Sequence, residues 1–462
     1  CISRQRVWGV PIPVFYAEDG TALLENEIIE HIAKMFSQYG SSVWWEKEAS
    51  ELLPEGYQNP HSPNGIFIKE TDTMDVWFDS GSSHHSSMVK SGLSYPADLY
   101  LEGSDQYRGW FNSSLSTGIA LTKKAPYRSV LTHGFVLDGE GRKMSKSLGN
   151  TIDPQNMMNQ FGADILRLWA ASVEYTSDVR ISKEIMRQAA ENYRKIRNTF
   201  RFLLGNLSDF NPEKDKVPYE KMPEIDQMMI NLLNNLTEKA ISSYENYHFD
   251  EVYRTILTYM TNELSAFYLD FTKDILYIEL VDNFERRSIQ TVFHENLSVL
   301  VRLLTPIIPH TTEEVYSHMQ EAEESVYLTD LPVSRRFANS NALINKYEAF
   351  KDLRNDVLKA LEEARNVKII GKSLASKVVI KPAEATLKLL NSINFDLEKI
   401  FIVSEFVVTN EDIDGSEYPS GIIRIEARKG HICSRCWKTV DELNEDELCE
   451  RCDNIIKTMR LK

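Results

Sequence analysis

The sequence predicts an α/β domain with a parallel sheet, then an all-α helical bundle, then a small α+β module with a cysteine-rich end. Three observations predict this order. Short β-branched or aromatic runs alternate with helix-like stretches up to residue 180, apolar residues follow a helical period over 183–325, and four of the five cysteines lie beyond residue 430. The length of 462 residues agrees with about three domains of roughly 150 residues each.

Composition and charge narrow the class of protein. Hydrophobic residues make up 42% and charged residues 26%, a usual globular mixture that argues against wholesale disorder. The net charge of −16 means that any contact with nucleic acid has to use local basic patches. Because the sequence has no apolar run of about 18 residues and no signal-peptide pattern, we expect a cytoplasmic protein that does not contact a membrane.

The α/β part carries a strand, a tight glycine turn and a helix in succession over 99–111. Predicted strands lie at 65–68, 75–78, 98–101 and 129–132, and predicted helices at 25–38 and 108–122. Ligands bind at the carboxyl ends of strands in open parallel sheets, so Glu102 and Asp105 are expected to point into one crevice. Such carboxylates suit ribose hydroxyls or an ammonium group. Trp77 and Trp110 can wall an apolar pocket, although ordinary core packing is the alternative.

Two apolar stripes at helical spacing predict the core of the bundle, with no cofactor site inside it. The first stripe, for which Asp250 is the predicted N-cap, comprises Val252, Ile256, Tyr259, Met260, Leu264 and Phe267. The second, which stops before Pro306, comprises Ile289, Phe293, Leu297, Leu300 and Leu304. Thr311 and Glu314 form a predicted capping box. The α+β module follows a linker over 331–345, with a helix over 346–367, a short helix over 384–394 and strands at 377–380, 400–403 and 422–425.

The cysteine-rich end predicts a metal site. Cys433 and Cys436 form one Cys-x-x-Cys pair, Cys449 and Cys452 form another, and twelve residues separate the pairs. Four thiolates on two tight turns can close around one structural zinc ion, with His431 as a bystander. Two unconnected thiol pairs or a redox motif are the alternatives. The segment has enough Lys and Arg to contact RNA phosphates, but its seven acidic residues make a solvated face equally plausible.

A glycine-bounded loop over 139–150 carries the sharpest local signal. Lys143 and Lys146 lie three residues apart in it, and glycines let such a loop approach a ligand closely. Two ammonium groups on a triphosphate can stabilise charge that develops on departing pyrophosphate. A solvated basic turn is the alternative. The sequence 371–373 resembles a phosphate loop but has Asn366 where glycine is required, and His84 with His85 is interpreted as polar surface or a loop beside a substrate.

Together these segments resemble a known family. The resemblance rests on 1–13, on the pentapeptide 143–147, on 161–167, on 305–314 and on the cysteine quartet. In these stretches the chain resembles the C-terminal half of the bacterial isoleucyl-tRNA synthetases, which belong to the class I aminoacyl-tRNA synthetases. Residues 75–84 and 102–111 look isoleucyl rather than valyl or leucyl.

The resemblance implies a domain order and a set of site residues. It implies the C-terminal part of a Rossmann-type catalytic domain over 1–180, an anticodon-binding bundle over 181–330, an α+β module over 331–427 and a zinc module over 428–462. Glu102 would contact the aminoacyl-adenylate, with Asp105 and Gln106 in support, and Trp77 and Trp110 would line the isoleucine pocket. Lys143 and Lys146 would hold the ATP phosphates, and Cys433, Cys436, Cys449 and Cys452 would bind zinc.

The implied activity is ATP-dependent formation of isoleucyl-adenylate, with magnesium, and transfer to tRNA(Ile) by a monomer. The chain lacks the family's first signature and its editing domain, and it opens on Cys1 rather than methionine. We therefore expect a fragment that does not support isoleucine-dependent pyrophosphate exchange alone. A tRNA-binding module without catalysis and a valyl or leucyl relative are the rival hypotheses.

Overall fold

The computed structural model describes residues 2–320 and 322–461. Cys1, in the predicted opening motif, and Lys462, in the predicted zinc module, lie outside the described residues, as does Glu321. The chain divides into two compact units, which are described separately. The first unit is Cys1–Leu137 with Tyr175–Val179, and the second is Asp138–Glu174 with Arg180–Lys462.

A parallel pair of strands forms the centre of the first unit's candidate site. Ala97–Gly103 pairs with Tyr127–His133, and the helix Trp110–Thr122 connects them. The register sets Gly103 opposite His133, so the carboxyl ends of both strands meet at one edge. A single turn of 3₁₀ helix, Ser104–Arg108, separates the first strand from the helix. The strand, turn and helix predicted over 99–111 are therefore confirmed.

The other elements of the first unit are mostly short. Its helices are Asn26–Tyr39, Val43–Glu46, Ala49–Leu52, Val76–Gly81 and the π-helix His84–Val89, and its strands are Ser3–Arg4, Phe15–Tyr16, Ala22–Leu23, Ile68–Lys69, Thr73–Met74 and Val136–Leu137. The strand predicted over 75–78 is wrong, because Asp75 caps a helix there. Its Oδ1 accepts a hydrogen bond from the Trp77 backbone N at 2.9 Å.

Helices dominate the second unit up to residue 366. They are Pro154–Phe161, Ala163–Ser172, Lys183–Gly205, Pro212–Asp215, Glu224–Glu245, Phe249–Thr258, the π-helix Tyr259–Tyr268, Leu269–Ile278, Phe284–Leu304, Pro309–Ser317 and Ser340–Asn366, with the strand Val179–Arg180 at the boundary between the units. Every residue of the two predicted stripes is at most 5% exposed, which confirms them as core. Among the described residues, none of the helices has both the length and the apolar composition to cross a membrane.

Two predicted helix caps are wrong. The first helix begins at Phe249, one residue after its N-cap His248, so Asp250 lies inside the first turn. The second begins at Pro309, a residue favoured at the first helical position, so Thr311 lies inside the helix. The predicted linker 331–345 also ends early, because the next helix begins at Ser340.

The C-terminal part of the second unit contains a four-stranded mixed sheet. In spatial order its strands are Glu405–Val408, Ser376–Pro382, Gly421–Ala427 and Ser416–Tyr418, with the first pair parallel and the others antiparallel. The remaining elements are the helices Glu384–Ser392, Leu397–Phe401 and Glu450–Leu461 and the strands His431–Ile432 and Thr439–Val440. The strand predicted over 400–403 is wrong. Asp396 caps the helix Leu397–Phe401, which buries Ile400 and Phe401 and ends at Ile402 in a left-handed conformation.

Candidate functional site

Two carboxylates and a histidine meet at the carboxyl edge of the parallel strands. Glu102 is half exposed, and its Oε1 lies 3.9 Å from Nε2 of His133 on the neighbouring strand. Gly103 lies between the two carboxylates, and a Cβ there would come within 2.8 Å of Asp105 Oδ1. Glycine therefore lets the Asp105 side chain fold back beside the strand end. His133 was not among the predicted site residues, although it directly follows the predicted strand 129–132.

Gln106 connects this edge to the two tryptophans. Its Nε2 donates to Asp105 Oδ2 at 3.3 Å, and its Oε1 accepts from the Trp110 backbone N at 3.1 Å. A Cβ on Gly109 would meet Gln106 Oε1 at 2.6 Å and the Trp77 ring at 3.1 Å, so the indole of Trp77 lies directly against this glycine. Asp105, Gln106, Trp77 and Trp110 therefore lie side by side around Gly109, and Glu102 lies at the adjoining strand end.

The lysine loop of the second unit is organised by a buried carboxylate, Asp138. Its Oδ1 accepts from the backbone N atoms of Glu140 and Arg142 at 3.0 and 2.8 Å. Its Oδ2 accepts from Asn150 Nδ2 at 2.8 Å and from Arg142 Nε at 2.9 Å. These hydrogen bonds, that from Asn150 foremost, hold the pKa of Asp138 well below its usual range.

Asn150 closes the loop from its other end. Its Oδ1 accepts from the Ser145 backbone N at 2.9 Å, and its Nδ2 also approaches the Lys143 carbonyl at 3.2 Å. The side chains of Lys143 and Lys146 are exposed at the surface of the loop. Neither Asp138 nor Asn150 was among the predicted site residues. The available signal was an Asp and an Asn directly beside Gly139 and Gly149, which is typical of side-chain-stabilised turns.

Replacing Asp138 with asparagine is expected to loosen this loop. An amide has one oxygen in place of two, so at least one pair of donors loses its acceptor, and hydrogen exchange at the Glu140 and Arg142 amides should accelerate by roughly tenfold. Because the pKa of Asp138 is lowered on folding, its stabilisation is complete above the ordinary aspartate pKa of about 4 and is lost as pH falls below it. Hydrogen exchange corrected for intrinsic rates measures both effects.

Asp153→Asn is the matched control for this change. Asp153 caps the helix Pro154–Phe161 through one backbone hydrogen bond, from Gln155 N, which asparagine can also accept. Equal exchange rates in Asp138→Asn and Asp153→Asn would show that the buried carboxylate does not hold the loop.

The second helix after the lysine loop, Ala163–Ser172, is fixed to the bundle within the second unit. Asp164 Oδ2 accepts from the backbone N of Thr311 at 2.7 Å and from its hydroxyl at 2.5 Å. Arg167 donates to the carbonyls of Ile307 and Pro306 at 3.0 and 2.8 Å. The segments 161–167 and 305–314, on which the family resemblance partly rests, are therefore bonded to each other.

The four predicted metal ligands form a compact buried cluster. The Sγ atoms of Cys433, Cys436, Cys449 and Cys452 lie within 4.8 Å of one another, and those of Cys436 and Cys449 are 3.7 Å apart. A tetrahedral ion with metal–sulfur bonds of about 2.3 Å requires sulfur–sulfur distances of about 3.8 Å, so the cluster fits a thiolate-binding metal. Burial raises the pKa of Cys436 and Cys452, whereas backbone N–H groups outweigh burial and lower the pKa of Cys433. His431 is not part of the cluster.

Several basic side chains of the cysteine segment have partners within the second unit. Arg435 donates to the Ile278 carbonyl at 2.7 Å, and Arg451 pairs with Asp274 and Glu279, each at 2.7 Å. Arg428 pairs with Glu405 and Asp441, Lys438 with Glu398, and Lys457 with Asp453. These cations stabilise the cysteine segment itself and tie it to the helix Leu269–Ile278.

Comparison with known proteins gives two family matches. Residues 1–182 match the model described as tRNA synthetases class I (I, L, M and V). Residues 226–380 match the model described as the anticodon-binding domain of tRNA ligase. The chain is thus similar to these families in both its α/β and its helical part.

Curated relatives are similar along nearly the whole chain. Isoleucine–tRNA ligases of Bacillus licheniformis and Geobacillus kaustophilus are each 54% identical over 99% of this chain. Each match covers 51% of the relative, so the chain spans about half the length of the curated relatives it matches. Among solved structures, the ternary complex of Agrobacterium radiobacter K84 agnB2 LeuRS, tRNA and LeuAMS has a TM-score of 0.54 at 21% identity, over 74% of this chain and 42% of that chain. This last likeness concerns the fold alone.

Proposed function

We propose that the chain, which spans about half the length of its curated relatives, belongs to the class I tRNA synthetases and acts as an isoleucine–tRNA ligase. The observation that carries the proposal is 54% identity to isoleucine–tRNA ligases over 99% of the chain. The substrates are isoleucine, ATP with magnesium, and tRNA(Ile). A stand-alone RNA-binding module would leave the lysine loop and the crevice at Glu102 without a role.

The proposed domain order follows the sequence analysis. Residues 1–180 are assigned to the C-terminal part of a Rossmann-type catalytic domain, 181–330 to the anticodon-binding bundle, 331–427 to an α+β module and 428–462 to a zinc module. The parallel strand pair, the stretch of helices up to Ser317 and the buried cysteine cluster support these assignments in turn.

In the first proposed step, a carboxylate oxygen of isoleucine attacks the α-phosphorus of ATP. The bond from the α-phosphorus to the bridging oxygen breaks, and pyrophosphate leaves with the electron pair. Lys143 and Lys146 bind the phosphates and stabilise the charge that grows on pyrophosphate, while magnesium accompanies ATP. The organisation of their loop by Asp138 and Asn150 supports this role, since a pre-positioned donor needs little reorganisation.

The crevice of the first unit is assigned to the adenylate and the amino acid. Glu102, Asp105 and Gln106 supply polar groups for the adenylate and the ammonium group. Trp77 and Trp110 line the pocket for the isoleucine side chain, which suits their contacts with Gly109 and Gln106. In the second step a hydroxyl of the terminal tRNA ribose attacks the anhydride carbonyl, and AMP leaves; positioning supplies most of the rate.

The cysteine cluster is assigned to one structural zinc ion. Cys433, Cys436, Cys449 and Cys452 would hold it, and four sulfur ligands leave no open position for chemistry. The zinc would supply a cross-link between two turns. We further propose a cytoplasmic monomer with no membrane partner.

Isoleucine-dependent exchange between pyrophosphate and ATP tests the proposal, in protein expressed from the complete reading frame. Isoleucine should support exchange, and leucine should not. Exchange with valine, whose side chain is one methylene shorter, should be roughly 10–200-fold less efficient than exchange with isoleucine. Isoleucine-specific synthetases are the usual example of this limit on discrimination by one methylene. Binding of tRNA without exchange for any amino acid would establish the RNA-binding hypothesis instead, and exchange that prefers valine or leucine would establish a relative.

A further inference from the structure

The helix that carries Trp77 is docked on the helix that carries Trp110 at backbone distance. A Cβ on Gly81 would lie 2.8 Å from the Ser113 carbonyl carbon, so only glycine permits this approach. Trp110 Nε1 donates to the Ser80 carbonyl at 2.9 Å, and the Trp110 ring stacks on Tyr100 at 4.3 Å. The two tryptophans assigned to the amino-acid pocket are thus set by one helix–helix joint.

Thr117 provides another hydrogen bond between these two helices. Its hydroxyl donates to the Gly81 carbonyl at 2.8 Å, and His84 Nε2 lies 3.1 Å from the same hydroxyl oxygen. The carbonyls of Ser113 and Ser114, one turn back on the same helix, lie 3.1 and 3.2 Å from this hydroxyl, so the Gly81 carbonyl is its shortest acceptor. Burial, and to a lesser extent His85, lowers the pKa of His84, which keeps the imidazole neutral. The prediction that His84 forms polar surface is wrong, since it is 1% exposed.

This arrangement supplies two partners for the end of a six-residue helix. The carbonyls of Ser80 and Gly81 belong to the last turn of Val76–Gly81, where backbone donors are few, and the Ser82 N–H is shared among the carbonyls of Phe78, Asp79 and Ser80. Trp110 and Thr117, both on the second helix, provide the donors. Thr117 is 8% exposed, so it acts through the position of the first helix rather than by touching a ligand.

We propose that Thr117, supported by His84, is a positioning residue for amino-acid selection, because it fixes the helix of Trp77 against the helix of Trp110. The effect on amino-acid selection rests on the proposed function, because the distance between the two tryptophan walls decides which amino-acid side chain fits the pocket. Loss of the Thr117 hydroxyl removes a hydrogen-bond partner from the Gly81 carbonyl and from His84 Nε2 in a buried site. The short helix, with Trp77 near its start, is then free to shift.

The role of Thr117 in holding the two helices together can be tested without an activity assay. With 5-fluorotryptophan in the chain, the ¹⁹F resonances of Trp77 and Trp110, assigned by Trp→Phe substitution, should shift in Thr117→Val but stay in place in Thr117→Ser. Ser116→Ala is the matched control, because Ser116 bonds the Asn112 carbonyl on the same helix but faces solvent. Unchanged Trp77 and Trp110 resonances in a folded Thr117→Val chain would overturn the proposal.

Pyrophosphate exchange by protein from the complete reading frame tests the consequence. Thr117→Val should raise the KM for isoleucine by roughly tenfold with kcat within about twofold, and should narrow the preference for isoleucine over valine. Thr117→Ser should restore both values. Equal KM values and preferences in all variants would overturn the positioning role. Absence of exchange in the unsubstituted protein would overturn the proposed function, and the ¹⁹F result would still decide the joint.

Discussion

Lys146→Ala is expected to lower the rate of isoleucine-dependent pyrophosphate exchange by about 10²–10³-fold, the usual cost of removing one preorganised donor to developing charge. The ammonium group is assigned to pyrophosphate as it leaves, so the loss should appear in kcat more than in the KM for isoleucine. Steady-state exchange by protein from the complete reading frame measures both constants. The loop itself should persist, because its fixed contacts run through Asp138 and Asn150.

Two further variants test whether the loss of exchange depends on the position and the charge of Lys146. Lys388→Ala removes the same charge from an exposed lysine that pairs with Glu384 on the helix Glu384–Ser392, and it should leave exchange unchanged. Lys146→Arg keeps the positive charge and should recover part of the rate. If Lys146→Ala exchanged as fast as Lys388→Ala, the lysine loop would have no part in activation. Binding of tRNA that is unaffected by Lys146→Ala while exchange falls would separate catalysis from RNA binding.

Local patterns in the sequence were sufficient to predict elements whose burial is uniform along their length. The stripe from Val252 to Phe267 is buried throughout, and the pattern does not depend on the change from α- to π-helix at Tyr259. The cysteine cluster was equally predictable from the sequence, because each Cys-x-x-Cys pair already places two ligands on one turn. Periodicity and short-range spacing carry this kind of information.

Short apolar runs, and hydrogen-bond partners that are far apart in the sequence, could not be predicted in this way. The runs 75–78 and 400–403 are too short for their period to distinguish a strand from a buried helix. An aspartate caps a helix before or within each run, although the second helix ends at Phe401. The bond from Asp164 to Thr311 joins residues 147 positions apart, so the composition around Thr311 suggested a capping box instead. At the candidate site, the glycine-flanked positions of Asp138 and Asn150 gave a local signal, but the bond between these two side chains and the pairing of His133 with Gly103 appear only in the folded backbone.

Removal of the proposed zinc is expected to unfold the C-terminal segment 430–461. Cys452→Ser should reduce bound zinc from one ion per chain to nearly none, because three thiolates leave the coordination incomplete. A structural zinc site contributes about 10–16 kcal/mol in small zinc-binding peptides, which is comparable to the whole stability of an ordinary domain. The apolar core around the cluster is small, since Ile278, Leu448 and Ile455 are its buried apolar members and Leu280, Val440, Leu443 and Ile456 are only partly buried against it.

Elemental analysis of the purified chain and hydrogen exchange over 430–461 measure these two effects, with and without a chelator. Cys1→Ser is the matched control, because Cys1 is the fifth cysteine and belongs to neither Cys-x-x-Cys pair. The contacts of Arg451 with Asp274 and Glu279 should be lost with the segment, so exchange should also rise near Ile278. A metal-free chain with full protection of 430–461 would contradict a structural zinc, and a mass lower by about two hydrogens per cysteine pair would identify a disulfide-forming redox motif in its place.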